Sequence, residues 1–141
     1  MYKIKIFSVH KTKEPWLQEA LLEYEKRLSP QCTFEWVLPK QEEQLMHLIE
    51  KENFWIVLSP EAKEYTSEEF SLLLHKHLEL GKSRLSFVIG GPSGIPSSIV
   101  DKALLKISLS KMTFTHQMAR LLLVEQIYRA FEIHKGSHYH K

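Results

Sequence analysis

Two short, mostly apolar runs restrict the fold of this chain more than any other feature. They are Phe54–Leu58 and Leu85–Ile89. A strand that is buried on both faces of a sheet shows such a continuous run, and this is typical of parallel sheets covered by helices. At 141 residues the chain has the length of one domain. We therefore predict a single α/β domain over residues 1–141, built on a mostly parallel sheet that is flanked by helices.

Strand-like and helical patterns alternate along the whole chain. Apolar residues that recur every second position indicate strands, and a recurrence at three and four positions indicates helices. The predicted strands are Tyr2–Val9, Thr33–Leu38, Phe54–Leu58, Leu85–Ile89 and Ile107–Leu109, and the predicted helices cover residues 15–28, 41–52, 66–81, Pro96–Leu105 and His116–His134. In such folds ligands bind beyond the carboxyl ends of the strands. A site is therefore expected just after Leu58, Ile89 and Leu109.

The third predicted helix carries signals at both of its ends. Thr66 and Glu69 have the spacing of a capping box, in which each side chain accepts a hydrogen bond from the other residue's backbone N–H. Gly81 suits the left-handed position that ends many helices. We therefore expect this helix to begin after Thr66 and to end at a left-handed Gly81.

The last predicted helix carries more apolar residues than one buried face needs. They are Met118, Leu121, Leu122, Leu123, Val124, Ile127, Tyr128, Ala130, Phe131 and Ile133. A chain this short has little protein with which to surround such a helix on all sides. The surplus predicts a homodimer with a two-fold interface, and a deeply buried core helix is the alternative.

The net charge of +2, counted with neutral histidines, is too small to identify a nucleic-acid binder by itself. Its distribution is uneven, because residues 111–141 carry five Lys or Arg against two Glu. Basic residues clustered on one face are the usual footprint of nucleic-acid binding. A basic tail that only aids solubility is the simpler interpretation, and both remain open at this point.

The single cysteine, Cys32, excludes an internal disulfide and fits a reducing compartment. No apolar run approaches the ~20 residues of a membrane-spanning helix, and no signal-peptide pattern opens the chain. We therefore expect a cytoplasmic protein without a membrane partner.

A glycine-rich segment from Gly90 to Gly94 joins a buried strand to a helix, where glycines let the backbone approach a ligand. Its spacing does not fit the dinucleotide-binding fingerprint. By itself the segment is as well explained by a tight turn without function as by a ligand loop. The nearby Gly81-Lys82-Ser83 precedes a strand instead of a helix, so it is not a phosphate-binding loop.

The usual catalytic patterns of hydrolases and metalloenzymes are not evident. Ser93 lacks the Gly-x-Ser-x-Gly elbow of a nucleophilic serine. Zinc needs about four ligands, and His134, His138 and His140 lack the companions to complete such a set, so we expect no metal. The tail that carries these histidines is either frayed or folded over a site.

Two arginines of the last helix lie nine residues apart and point to opposite sides of it. They are Arg120 and Arg129, and Glu125 can pair with Arg129 along the helix. Ordinary surface charge and a role in an interface or a site explain them equally well.

Four stretches together resemble a known family. They are Phe87-Val-Ile-Gly-Gly-Pro-Ser-Gly94, Leu109-Ser-Lys-Met-Thr-Phe-Thr-His116, Glu125-Gln-Ile-Tyr-Arg-Ala-Phe131 and His138-Tyr139-His140. In this order along the chain they are similar to the small ribosomal-RNA methyltransferases of the RlmH type, of the SPOUT superfamily. The resemblance implies a C-terminal trefoil knot and an obligate homodimer. It also implies transfer of a methyl group from S-adenosylmethionine to N3 of a pseudouridine in large-subunit (23S) rRNA, within the assembled ribosome.

The resemblance further implies which residues form the site. The residues expected to bind S-adenosylmethionine are Leu58, Gly90, Gly91, Leu109, Ser110, Lys111, Met112, Thr113 and Phe114. The residues expected to contact RNA and handle the proton are Arg129, Tyr139, His140 and His116, and the tail would reach the partner's site. A methyl sulfonium is already activated, which agrees with the lack of a nucleophile in the chain.

This chain departs from the family pattern at several positions. His10 stands where a glycine usually follows the first strand, and the connection after the second strand is reduced to Pro39–Glu43, which removes phosphate-binding charge. The alternative function is a non-catalytic RNA- or ribosome-binding module that retains the knotted scaffold. The intact glycine loop favours the enzyme. A Rossmann-like methyltransferase would need a glycine-rich loop after the first strand, and the chain has none there.

Overall fold

The computed structural model describes residues 1–140, and Lys141, the last residue of the predicted domain, lies outside the described part. Strands and helices alternate along the chain. The strands are β1 (Tyr2–Phe7), β2 (Cys32–Val37), β3 (Ile56–Leu58), β4 (Arg84–Ile89) and β5 (Leu105–Ile107), and the helices are α1 (Pro15–Leu28), α2 (Glu42–Glu50), α3 (Ser67–Leu80), α4 (Ser97–Asp101) and α5 (His116–Lys135). The predicted α/β class is confirmed.

The five strands form one sheet in the order β2-β1-β4-β3-β5, and every neighbouring pair is parallel. Because all strands run the same way, their carboxyl ends meet at one rim. The loops that follow β1, β3, β4 and β5 therefore open on the same side of the molecule. This rim is where ligands bind in open α/β sheets.

Side chains of the strands alternate between two apolar layers. Ile4 and Ile6 of β1 point into the layer that holds α1, α3 and α5. Phe7 and Val57 point into the opposite layer, which holds α2 and α4. Both faces of the sheet are thus covered, which explains why the central strands carry almost no exposed apolar residue.

Local signals at the start of α3 act as predicted. The backbone N–H of Glu69 donates to Thr66 Oγ1 at 3.1 Å, and the backbone N–H of Thr66 donates to Glu69 Oε1 at 2.8 Å. The predicted capping box is therefore confirmed.

The prediction of a left-handed Gly81 at the end of α3 is wrong. Gly81 has a φ of −86°, and the left-handed residues are the next two, Lys82 and Ser83. Glycine is required for space instead, since a Cβ at position 81 would lie only 2.2 Å from the Arg84 carbonyl oxygen. The turn between α3 and β4 therefore leaves no room for a side chain at position 81.

The predicted helix Pro96–Leu105 and strand Ile107–Leu109 need correction. The helix ends at Asp101, and the strand begins at Leu105 and ends at Ile107. The backbone N–H of Leu104 donates to the Trp55 carbonyl at 2.8 Å, and Leu105 pairs with Ile56 of β3. Pairing with β3, 49 residues earlier in sequence, thus overrides the local helical pattern.

Helix α5 is the longest element, with 20 residues. One face is buried by the sheet, α1 and α3, whereas Met118, Leu121, Leu122, Tyr128 and Ile133 remain only half-buried. The surplus of apolar residues therefore leaves a partly covered face in the single chain. Across residues 1–140 no helix combines the length and apolar character needed to cross a membrane.

Candidate active site

A cavity of about 540 Å³ opens at the carboxyl rim of the sheet. Three loops form its walls: residues 58–61 after β3, residues 89–95 after β4, and residues 109–114 after β5. His116 and Ala119 of α5 close one side. Small-molecule sites usually enclose about 300–1,000 Å³, so the volume suits an organic ligand of moderate size.

The glycine loop owes its shape to contacts that exclude side chains. A Cβ at Gly90 would lie 2.6 Å from Ile95 Cγ1, and one at Gly91 would lie 2.6 Å from both Val9 Cγ1 and Glu42 Oε1. The backbone N–H of Gly94, which is left-handed with a φ of +80°, donates to the Gly91 carbonyl at 2.9 Å. The loop is therefore a tight backbone turn against the cavity, fixed by packing from behind.

The wall after β5 is held by serine side chains. Ser108 Oγ donates to the Ser110 carbonyl at 2.8 Å, and the backbone N–H of Met112 donates to Ser110 Oγ at 3.0 Å. The backbone N–H of Ser108 donates to the Lys63 carbonyl at 2.9 Å, which ties this segment to the loop after β3. Two of the three walls thus form one hydrogen-bonded unit.

Most residues predicted to bind the cofactor border the cavity. They are Leu58, Gly90, Gly91, Leu109, Ser110, Met112, Thr113 and Phe114. Lys111 lies in the same segment but is exposed and does not border it. Of the residues predicted to contact RNA, only His116 borders the cavity.

His116 lies among positive groups at the start of α5. Its ring is 6.3 Å from that of His10, and Gln117 beside it accepts from the backbone N–H of Lys13 at 3.1 Å. Burial lowers the pKa of His116, and the charges of Arg120, His10 and Lys13 lower it further, against an opposing effect of Glu42. The imidazole at the cavity wall is therefore held in its neutral form near pH 7.

Arg129, Tyr139 and His140 form a cluster at the other end of α5. Arg129 Nη2 donates to Glu125 Oε1 at 2.7 Å, and the Tyr139 hydroxyl donates to the same oxygen at 3.1 Å. His140 lies 3.0 Å from Arg129 Nη1 and 2.9 Å from Glu68 Oε1. The tail is therefore folded onto α5 and α3 instead of being frayed.

The protonation of this cluster follows from its contacts. The hydrogen bonds of Arg129 with Glu125 raise the pKa of the guanidinium, which stays charged. Burial and then hydrogen bonding raise the pKa of Tyr139 well above its usual range. The cluster thus presents a permanent cation and a hydroxyl that keeps its proton and acts as a donor.

No group of three or more potential metal ligands occurs within residues 1–140. The histidines of the tail region have other contacts. His140 is held by Arg129 and Glu68, and the His134 ring stacks on that of His75 at 3.9 Å.

The sequence analysis missed Glu42, at the first turn of α2. Its Oε1 is buried without a hydrogen-bond partner and presses against Gly91 from behind the glycine loop. A second cavity of about 250 Å³ lies on that side, between α2 and α4. No local pattern reveals this contact, because it depends on how α2 packs across the sheet.

Comparison with known proteins identifies the family of this chain. Residues 2–140 match the family described as "Predicted SPOUT methyltransferase". The chain belongs to the SPOUT methyltransferase family. Two of its curated relatives in that family are both named "Ribosomal RNA large subunit methyltransferase H". One, from Protochlamydia amoebophila, is 48% identical over all of both chains, and one, from Streptococcus pneumoniae, is 39% identical over 99% of both.

Two solved structures share the fold at low sequence identity. A probable methylase family protein from Haemophilus influenzae superposes with a TM-score of 0.61 at 13% identity, covering 99% of this chain and 70% of that one. A putative methyltransferase from Legionella pneumophila, solved in complex with the bound cofactor SAM, gives 0.52 at 12% identity, covering 92% and 66%. These likenesses concern the fold alone.

Proposed function

We propose that the protein transfers a methyl group from S-adenosylmethionine to N3 of a pseudouridine in large-subunit rRNA, in the cytoplasm and on the assembled ribosome. The observation that carries this proposal is the cavity of about 540 Å³ between the three loops after β3, β4 and β5, in a chain of the SPOUT methyltransferase family. The relatives named as rRNA large subunit methyltransferases supply the substrate class.

The residues of the cavity fit S-adenosylmethionine. Apolar side chains of Leu58, Leu109 and Met112 can cover the faces of an adenine, and the backbone of the glycine loop can hydrogen-bond its edge. Gly90 and Gly91, where a Cβ would meet Ile95, Val9 or Glu42, let the loop pack tightly and present its backbone to a ligand. When bound, the sulfonium supplies an activated methyl group, so the protein's task is to position the two reactants.

The acceptor nitrogen must lose its proton, because N3 carries a hydrogen before methylation and a methyl group after it. Positive charge nearby stabilises the deprotonated nitrogen. Arg129 supplies a permanent cation, Tyr139 a hydroxyl donor and His116 a neutral imidazole that can take up a proton. These residues, with His140, are our candidates for RNA contact and proton handling.

The proposal includes a homodimer and a C-terminal trefoil knot. Thirteen residues of α5 separate His116 from Arg129, which corresponds to about 20 Å along a helix. The Arg129 cluster therefore needs a second copy to bring it near a cavity. The half-buried apolar face of α5 supports such a contact. Mass determination by light scattering on a sizing column tests this part, and a monomer at micromolar concentration contradicts it.

Calorimetric titration with S-adenosylmethionine tests the cofactor site. We expect binding by the wild type and a large loss of affinity in Gly90→Val, because the new side chain would meet Ile95 Cγ1 within van der Waals distance. Leu72→Val is the control, since Leu72 is exposed on α3 and does not border the cavity. A wild type that does not bind the donor would favour the alternative of a non-catalytic ribosome-binding module.

Mass mapping of rRNA nucleotides tests the reaction itself. Large-subunit rRNA from cells that lack the gene should lose one methyl group on one pseudouridine, and the purified protein with S-adenosylmethionine should restore it. Unchanged rRNA masses would contradict the proposed substrate.

A further inference from the structure

Arg120 is the largest fully buried side chain of the molecule, and none of its partners is an acid. Its guanidinium donates only to hydroxyl and carbonyl oxygens, and burial alone lowers its pKa to about 10. Within residues 1–140 it forms no ion pair. A buried cation without a carboxylate is costly and rarely found unless its hydrogen bonds are complete. Its position therefore requires an explanation.

All of its partners lie in the turn between β1 and α1. Nε and Nη2 donate to Ser8 Oγ at 3.1 and 3.0 Å, and Nη1 donates to Thr12 Oγ1 at 3.0 Å. Nη2 also donates to the carbonyls of Val9 and His10, at 2.6 and 2.5 Å. One planar guanidinium thus fixes the whole turn from residue 8 to residue 12.

The turn is held to the start of α5 by further contacts. Gln117 Nε2 donates to the Lys11 carbonyl at 3.2 Å, and Gln117 Oε1 accepts from the backbone N–H of Lys13 at 3.1 Å. His10, whose carbonyl accepts from Arg120, has a φ of +65° and places its ring 6.3 Å from that of His116. Arg120 and Gln117 therefore join the turn to the two residues of α5 that border the cavity, His116 and Ala119.

We propose that Arg120 is a positioning residue for methyl transfer, which fixes His116 at the cavity wall through the turn of residues 8–12 and places an uncompensated positive charge behind His116. This inference rests on the proposed function and deepens it. Arg120 itself is fully buried and does not border the cavity, so it acts through other groups.

A buried cation without a carboxylate partner would assist the proposed reaction. In the reaction the N3–H bond breaks, a new N3–C bond forms, the S–C bond of the donor breaks, and one proton leaves the base. A positive charge that no acid neutralises favours the deprotonated nitrogen. The groups that face His116 are His10 and Lys13 from the turn, Arg120 from α5 and Glu42 from α2, and Arg120 is the largest of the charge effects on it.

Two substitutions separate charge from geometry. Arg120→Lys keeps the charge and loses the planar fork, and Arg120→Met keeps much of the volume and loses both. We measure kcat and KM for undermethylated ribosomes, the Kd of S-adenosylmethionine, and kcat as a function of pH, with the full-length protein. Arg84→Met, which removes an exposed arginine at the opposite rim of the sheet, is the control and should behave as the wild type.

We expect Arg120→Met to lower kcat by about 10-fold to 100-fold, the size that misplaced catalytic groups produce, with little change in donor Kd. Loss of the positive charge should also move the acidic limb of its kcat profile to higher pH. Arg120→Lys should lower kcat without moving that limb. A merely structural role would reduce the melting temperature and leave the pH profile unchanged in both variants.

Thr12→Val and Ser8→Ala keep the inference testable where Arg120→Met does not fold. Each substitution removes a hydroxyl acceptor and retains the guanidinium. We therefore expect kcat to fall by a smaller factor than in Arg120→Met, and the pH profile of kcat to stay as in the wild type. The inference is overturned by folded Arg120 variants with wild-type kcat and pH profile, or by a loss confined to donor affinity. If the wild type itself does not methylate ribosomes, it is the proposed function that fails.

Discussion

The two ends of α5 each carry an arginine, and the two arginines have opposite surroundings. At the beginning of the helix, Arg120 is fully buried, and its partners are neutral oxygens of the turn after β1. Near its end, Arg129 is partly exposed, and it pairs with Glu125 and with the tail. One arginine is a component of the interior, and the other belongs to a surface cluster.

This difference separates the two parts of the candidate site, which are the cavity at the start of α5 and the Arg129 cluster near its end. The start of α5 borders the cavity and is held by the turn after β1. The Arg129 cluster has a defined geometry but lies away from that cavity. The first end therefore belongs to the cavity that we propose for the methyl donor, and the second end belongs to a site that we propose is completed by a partner subunit.

The largest expected effect concerns stability. Arg120→Met leaves the Ser8, Val9, His10 and Thr12 oxygens without donors, and buried unsatisfied groups cost about 1–3 kcal/mol each. We expect the free energy of unfolding to fall by about 3 kcal/mol after partial relaxation of the turn. Arg129→Met removes a partly exposed pair four residues apart on a helix, which contributes about 0.3–0.5 kcal/mol. Urea denaturation of both variants measures the difference.

Equal losses in the two variants would contradict the comparison. They would mean that the oxygens of the turn after β1 find other hydrogen-bond donors once the Arg120 guanidinium is removed.

The next effect concerns activity. Tyr139→Ala should lower methyl transfer by about 100-fold, as expected for loss of a group that orients the acceptor, and should leave the affinity for S-adenosylmethionine unchanged. Tyr139→Phe separates the hydroxyl from the ring. Single-turnover assays on undermethylated ribosomes, combined with calorimetry, measure both quantities.

Mixed dimers sharpen the same comparison. In a mixed dimer, one subunit carries Tyr139→Ala and the other carries Gly90→Val. If each tail acts on the partner's cavity, the intact tail of the second subunit meets the intact cavity of the first, so activity should return. A tail that acts on its own cavity leaves none, and the mixture should stay inactive.

A smaller effect is expected from pH. His75 packs against the second half of α5, where its ring stacks on His134, and burial lowers its pKa. A histidine whose pKa is lower in the folded state stabilises the fold above its unfolded pKa of about 6.5, and this stability is lost as the pH falls.

Chemical denaturation between pH 5 and pH 8 measures this dependence. His75→Phe should flatten it in part, and the remainder should come from His116 and His77, whose pKa values are also lowered. Leu72→Phe, at an exposed position of α3, should leave the slope as it is in the wild type.

The smallest effect is expected at His10. This residue lies in the left-handed region with a φ of +65°. A residue with a side chain pays a conformational energy of about 1–2 kcal/mol there. His10→Gly relieves that strain but increases the entropy of the unfolded chain. We expect a net stabilisation below about 1 kcal/mol, measured as a shift of the denaturation midpoint. A destabilised variant would show that the contact between the His10 and His116 rings is worth more than the strain.

Local chemistry predicted the elements whose causes are local. The capping box at Thr66 and Glu69 needs only residues three apart, and the apolar run at Phe54–Leu58 needs only burial on both faces of a strand. The position of Gly90 and Gly91 beside the cavity followed from one general rule about the carboxyl ends of parallel strands.

The features that escaped prediction depend on distant parts of the chain. The bounds of β5 are set by β3, and the contact of Glu42 depends on Gly91. Arg120 was noticed, but its partners lie about 110 residues earlier in sequence. No pattern within a window of sequence shows such a contact.

The order of the strands has a consequence for biosynthesis. In a nascent chain that ends after β3, that strand has neither of its hydrogen-bonded neighbours, because β4 and β5 have not yet been made. The turn of residues 8–12 is translated 111 residues before the arginine whose guanidinium holds the Val9 carbonyl. A nascent chain that ends after β3 therefore lacks both neighbours of that strand and the guanidinium that holds the turn of residues 8–12.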